Sequence, residues 1–268
     1  MRHTGAFQIH IGLLFLLLLA TPQLSAQEEE NLEPVEAATE ETRPPRSEAY
    51  GLRVGVDLSR ILISTLDDKY TGLELVGDYR LKQNLYLAAE LGTETREISE
   101  TLDNENGVNI IELYNFESSG SYLKLGVDYN TYENWFGMNN SIYIGARYAF
   151  STFSKDLNSY TLFNSNRYWN PDSFIDGTQA PQELSGLNAS WIEMVAGVKA
   201  ELFANFFLGA SIRLGYLVSR KESDILPHIW IPGFNRVNTE SSFGSSFNYT
   251  LTYFLPLYRK ARAPKPEE

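Results

Sequence analysis

Residues 140–150 read Asn-Ser-Ile-Tyr-Ile-Gly-Ala-Arg-Tyr-Ala-Phe. Ile142, Ile144, Ala146, Tyr148 and Phe150 alternate with Tyr143, Gly145, Arg147 and Ala149. Successive side chains of an extended chain point to opposite faces, so this stretch reads as a strand with one apolar face and one charged face. Seven more stretches follow the same plan, at 52–58, 73–79, 85–91, 123–129, 192–200, 208–216 and 247–253, and their apolar parity never carries a charge. The pattern predicts an all-β chain, an eight-stranded antiparallel up-and-down β-barrel. Val108 to Tyr114 alternates more loosely, which leaves open ten strands or a hairpin extended past the others.

Which face points inward decides the class. A soluble calyx turns its apolar parity inward, whereas a transmembrane barrel turns it to lipid. Glycines gather on the charged parity (Gly55, Gly92, Gly126, Gly145, Gly197, Gly209, Gly215), as a crowded narrow lumen requires. Aromatics gather at the ends of the apolar stripes, with Tyr79, Tyr129, Tyr132, Trp135, Phe203 and Tyr253 at one rim and Tyr148, Phe150 and Tyr216 at the other. Two aromatic rims match the girdles at membrane interfaces. The connections alternate as well. Those at 82–84, 131–139 and 203–205 are shorter, and a tight turn is expected around Asp67-Asp68. Those near 96–119, 153–187 and 220–241 are long and polar. The stretches beginning Asn84, Asn140 and Asn205 share one plan, the repeat of a hairpin meander. These features favour a transmembrane barrel over a secreted, lipocalin-like binding barrel.

The ends of the chain carry a different message. Arg2 and His3 precede an apolar run from Ile11 to Ala20, and Leu24-Ser25-Ala26 supplies small residues for cleavage, so 1–26 reads as a secretory signal peptide. Residues 27–47 hold seven Glu and three Pro and read as a disordered acidic periplasmic linker. The barrel is expected over 48–258, followed by a periplasmic tail at 259–268. Removing the leader takes the formal net charge from −12 to −13 and leaves His228 as the one histidine. That charge argues against nucleic acid as a partner. The absence of cysteine removes thiol catalysis, disulfides and Cys-ligated metal.

The strand-turn texture resembles small outer-membrane β-barrel proteins of the Bacteroidota type, including families known only as domains of unknown function. The residues that carry the resemblance are Tyr50-Gly-Leu-Arg-Val-Gly-Val-Asp, Val76-Gly-Asp-Tyr-Arg, Asn84-Leu-Tyr-Leu-Ala-Ala-Glu-Leu-Gly and Tyr253-Phe-Leu-Pro-Leu-Tyr. The resemblance covers roughly 48–258 and implies an integral outer-membrane location with both termini periplasmic. It carries over no catalytic residue.

The lumen-facing charges predicted from strand parity are Arg53, Arg80, Lys124, Arg147, Lys199 and Arg213, against Asp57, Glu74, Asp78, Glu90, Asp128, Glu193 and Glu201. An eight-stranded barrel is just wide enough for its own side chains, so these charges are expected to form a paired plug. A narrow ion or solute path is the alternative. Among the long loops, Tyr168, Trp169, His228, Trp230 and Phe234 combine aromatic groups with small polar neighbours. Such sets suit recognition of a protein or glycan, or simple packing over the barrel mouth. No nucleotide, metalloprotease or serine-hydrolase motif has a usable context, and no cofactor is implied. Ser223 and Asp224 are near His228 in sequence, but nothing in the sequence holds them in place to orient it for catalysis. The expected role is therefore structural, anchoring or recognition, with outer-membrane lipid as the constant partner. A lipid- or protein-modifying enzyme is the competitor.

Overall fold

The computed structural model describes residues 47–103, 109–132, 139–164, 173–176, 182–221, 230–236 and 241–261. The chain divides into two units, Met1–Pro44 with Asp103–Val108, and Pro45–Leu102 with Asn109–Glu268. The architecture that follows is that of the second. The expected leader and residues 27–46 of the acidic segment lie outside the described residues.

Twelve elements follow in order: β1 (Ser47–Asp57), α1 (Leu58–Leu66), β2 (Tyr70–Arg80), β3 (Leu85–Asp103), β4 (Asn109–Asn130), β5 (Ser141–Asn164), β6 (Ser173–Asp176), β7 (Gln182–Phe203), β8 (Phe206–Arg220), β9 (Trp230–Ile231), β10 (Asn235–Arg236) and β11 (Phe243–Ala261). The strand order is β4-β3-β2-β1-β11-β8-β7-β5, and a β4–β5 pairing closes the ring. The result is an eight-stranded antiparallel barrel of hairpin neighbours, with the first and last strands side by side. Ser47 pairs with Ala261, so β11 runs three residues past the expected barrel end at 258.

Burial follows strand parity. On β5, Ile142, Ile144, Tyr148 and Phe150 are exposed, while Tyr143, Arg147 and Ala149 are buried. Across the ring, Leu75, Leu91, Leu125, Met194, Ile212 and Leu214 also face outward, with Met194 72% exposed. The charged parity faces inward. Apolar outside and charged inside is the reverse of a water-soluble barrel.

The connections between β2 and β3, β4 and β5, and β7 and β8 share one end, here the turn end. At Ala204-Asn205 the chain reverses in two residues, and Asn205 takes φ 68°, a left-handed conformation that asparagine tolerates. The other end, the loop end, departs from expectation. Most of the segments read as long loops are strand: β3 reaches Asp103, β4 starts at Asn109, β5 reaches Asn164 and β7 starts at Gln182. Over its described residues, 109–114, the loose alternation therefore lengthens a hairpin and adds no strand to the ring. On β5 the outward side chains change from Tyr148 and Phe150 to Thr152, Ser154 and Asp156, so the wall continues past the apolar belt with a polar exterior.

The first loop-end connection is a helix followed by the expected tight turn, in which the Tyr70 N–H donates to the Asp67 carbonyl (3.0 Å). Asp57 accepts a hydrogen bond from the Ser59 N–H (2.8 Å), the N-cap contact that starts α1. Pairing of β1 with β2 stops at Val56–Leu75, and pairing with β11 stops at Asp57–Thr250. Beyond that level β2 continues to Tyr70 and β11 to Phe243, leaving a notch in the wall. α1 packs against both strands and fills it. Its Ser64 Oγ accepts from the Gly72 N–H (2.8 Å), satisfying a donor on the strand edge that β1 leaves open. Ser59 and Arg60 turn inward and are buried, while Ile61, Leu62, Ile63 and Leu66 are exposed.

Candidate functional site: a paired lumen under an apolar plug

From the turn end, the lumen opens with Arg80, which pairs with Glu48 and donates to the Gln83 carbonyl (2.8 Å). Its guanidinium lies 4.6 Å from the Tyr50 ring centroid, and Tyr50 stacks on Tyr258. One layer further in, Asp78 accepts from Arg53 and from Lys199, both at 2.7 Å. Asp128 pairs with Arg147 at 2.7 Å, and Arg53 lies over the rings of Tyr86 and Phe207.

The middle layer is built on Arg213. It pairs with Glu90 and has Glu193 at 3.8 Å and Glu74 at 3.9 Å. Arg147 also reaches Glu90 (3.3 Å), and Lys124, fully buried, reaches Glu193 (3.0 Å). Glu193 further accepts from the Trp191 indole N–H (2.6 Å). Above this, the Tyr122 hydroxyl donates to Glu74 and the Tyr70 hydroxyl to Glu94, each at 2.6 Å. Arg60 comes in from α1 to pair with Glu94, with Glu74 at 3.8 Å and Asp57 at 3.9 Å. The ion pairs thus run without a break from Arg53 to Arg60. Each carboxylate in the series has a cation within 4 Å, as buried charges require.

An apolar layer closes the top. β9 and β10 form a small hairpin whose Ile231 and Phe234 are buried against Tyr122, Phe153, Leu187, Trp191 and Leu217. Phe234 meets Trp191 edge-on, with ring centroids 5.4 Å apart. Gly233 donates its N–H to Glu94 (2.7 Å) and adopts φ 83°. A Cβ there would stand 2.5 Å from the Tyr122 ring, so both backbone and space demand glycine. Past this plug, Phe116 and Leu157 form a second buried cluster within the strand extensions, lined by the half-buried Ile98, Tyr114, Tyr160 and Leu184.

The chain matches the family described as Domain of unknown function (DUF6048) over residues 6–260. It belongs to that family. No curated protein matches the chain. A solved structure, that of Acinetobacter baumannii CarO, is similar with a TM-score of 0.33 and 12% identity, covering 76% of this chain and 98% of that one.

In this DUF6048 member, Arg53, Asp57, Glu74, Asp78, Glu90, Lys124, Asp128, Arg147, Glu193 and Arg213 meet inside the barrel, with Lys199 half-buried beside them. Two of the thirteen predicted lumen charges stand apart. Arg80 serves the turn-end rim. Glu201 is not in the ion network, since it accepts from the backbone N–H groups of Asn139 (3.2 Å) and Asn205 (3.3 Å) and so ties two turns together. Its place one residue from the end of β7's inward series explains the difference. Sequence reasoning missed Arg60 and Glu94, the former on an unrecognised helix and the latter three residues past the predicted end of β3. It also missed Tyr70, Tyr122 and Trp191, whose polar tips complete the network. Of the loop residues, Tyr168, Trp169 and His228 lie outside the described residues. Phe234 is buried in the plug and Trp230 is half-buried, with the Arg96 guanidinium 4.9 Å from its ring. Among the described residues no cluster of three or more His, Asp or Glu side chains could hold a metal ion.

Proposed function

We propose that this chain is an integral outer-membrane β-barrel with a non-catalytic role, holding a closed, paired lumen in the bilayer and presenting its strand extensions outside for recognition. The observation that carries this reading is the inverted distribution of side chains. A band of exposed Leu, Ile, Val and Met, edged by Tyr129, Phe203 and Tyr253 at one rim and by Tyr148, Tyr216 and Phe243 at the other, encircles a charged interior. An apolar surface of that extent in water would drive association, while in lipid it is the matched face. In this reading the turn end is periplasmic, the loop end is extracellular, and outer-membrane lipid is the constant partner.

Two features favour a closed structural lumen over a channel or an acid–base site. The ion pairs occupy the cross-section of a barrel that is only as wide as its own side chains. Its carboxylates are already held by cations, which leaves the described ones committed to partners. Planar-bilayer recording of the purified barrel tests the first point, with no stepwise conductance expected and a steady unitary current as the opposing result. For catalysis, His228→Ala is expected to leave both insertion and the cellular phenotype unchanged. A normally inserted variant that reproduced the deletion phenotype would overturn the non-catalytic reading.

A further inference from the structure

One buried cation differs from all those in the network. Lys155 projects inward from β5 between Phe153 and Leu157, in register with Ser118 of β4 and Leu184 of β7. It is 5% exposed, and its ammonium lies 5.5 Å from the Phe116 ring centroid and 6.0 Å from that of Phe153. Arg53, Arg60, Lys124, Arg147 and Arg213 each have a carboxylate within 4 Å. Among the described residues, none makes a hydrogen bond or ion pair with Lys155. Its neighbours Asp156 and Glu117 are paired with each other in the register and sit on the opposite parity of their strands.

Two ring faces recover only part of what an ammonium loses on leaving water. Desolvation accordingly pushes the Lys155 amine down to about 8. An anion at this point would supply the missing partner. The surroundings state what else such an anion must carry. Phe116 and Leu157 form an apolar wall, and Ile98, Tyr114, Tyr160 and Leu184 around them are half-buried, so the apolar lining meets solvent. The outward faces at this level are polar, which places the site beyond the apolar belt and on the loop-end side.

We propose that Lys155 is the anion-binding point of a site in the loop-end extension that takes a small amphiphilic anion, an apolar tail bearing a carboxylate or phosphate head. The proposal rests on the recognition reading above and gives it a ligand class.

The test is competitive acylation of lysines on the full-length folded barrel in nonionic detergent, with each lysine followed by peptide mass spectrometry. Octanoate, octyl phosphate and octanol are the probes, and the exposed Lys69 is the internal reference. One or both anions are expected to slow acylation of Lys155 by about tenfold at roughly 90% occupancy, with octanol having no such effect. The better of the two anions identifies the head group. Protection by octanol equal to that by the anions, or protection by neither anion, would overturn the site. So would a Lys155→Met variant that binds octanoate as tightly as the unaltered chain, or Lys155 acylation with the pH profile of an exposed lysine. None of these outcomes depends on membrane location, which fractionation tests separately.

Discussion

Arg213 faces Glu90, Glu193 and Glu74 from the middle of the lumen, so it is the residue whose loss strands the most charge. Replacing one partner of a buried ionic group costs about 3–5 kcal/mol, because the remaining charge is left without compensation. Arg213→Met is expected to lower stability by that amount in urea titrations in lipid vesicles. Adding Glu90→Leu to the same chain should recover part of the loss. Lys155 contributes in the opposite sense. With its amine depressed to about 8 from 10.5, the folded protein binds fewer protons than the unfolded chain between those values, so stability rises as pH increases through that window. Lys155→Met should abolish that increment, measured as unfolding midpoint against pH. At this scale strand parity was enough to place eleven of the thirteen predicted charges inside. It could not pair them, because a period of two says which face a side chain takes and nothing about which strand stands across the barrel. Lys155 escapes for a related reason: the sequence predicts its strand to end at Phe150, where the outward apolar stripe stops.

Elements were legible where both faces carry contrast and illegible where one loses it. Along 142–150 apolar and inward residues alternate cleanly, and the strand was plain. Past Thr152 the outward side chains become Ser, Asp and Asn, which read equally well as loop, although the ladder to β4 and β7 continues. The change marks the edge of the apolar belt and can be tested directly. Ile144→Arg should cost about 2–4 kcal/mol of folding free energy in vesicles, while Thr152→Arg should cost about 1 or less, as expected for a position at or past the interface. Equal penalties would mean that the belt edge lies elsewhere. α1 was hidden because Leu-Ser-Arg-Ile-Leu-Ile-Ser-Thr-Leu prolongs an apolar run that began as a strand, and only the Asp57 cap and the notch explain the switch. Its exposed Leu62 and Leu66 continue the belt across the notch. A fluorophore at Leu62→Cys should emit at the blue-shifted wavelength of an apolar environment in vesicles, and one at Asp68→Cys at that of water. The absence of native cysteine makes both labels specific.

For the whole molecule, closure is the property that the parts combine to give. β1 and β11 meet in register, α1 seals the notch, and the β9–β10 hairpin caps the ion network. A closed barrel has no free edge from which to unravel, so the chain should migrate differently on gels before and after boiling and should stay with membranes through alkaline extraction. The central claim is that the apolar parity faces lipid. Single cysteines at Leu125, Ile144, Ile212 and Thr152, labelled with one fluorophore and reconstituted in vesicles containing a spin-labelled lipid, measure it most directly. Strong quenching by the lipid is expected at the first three positions and little at Thr152. Quenching of Leu125, Ile144 and Ile212 by aqueous iodide instead, with no effect of the lipid quencher, would contradict it.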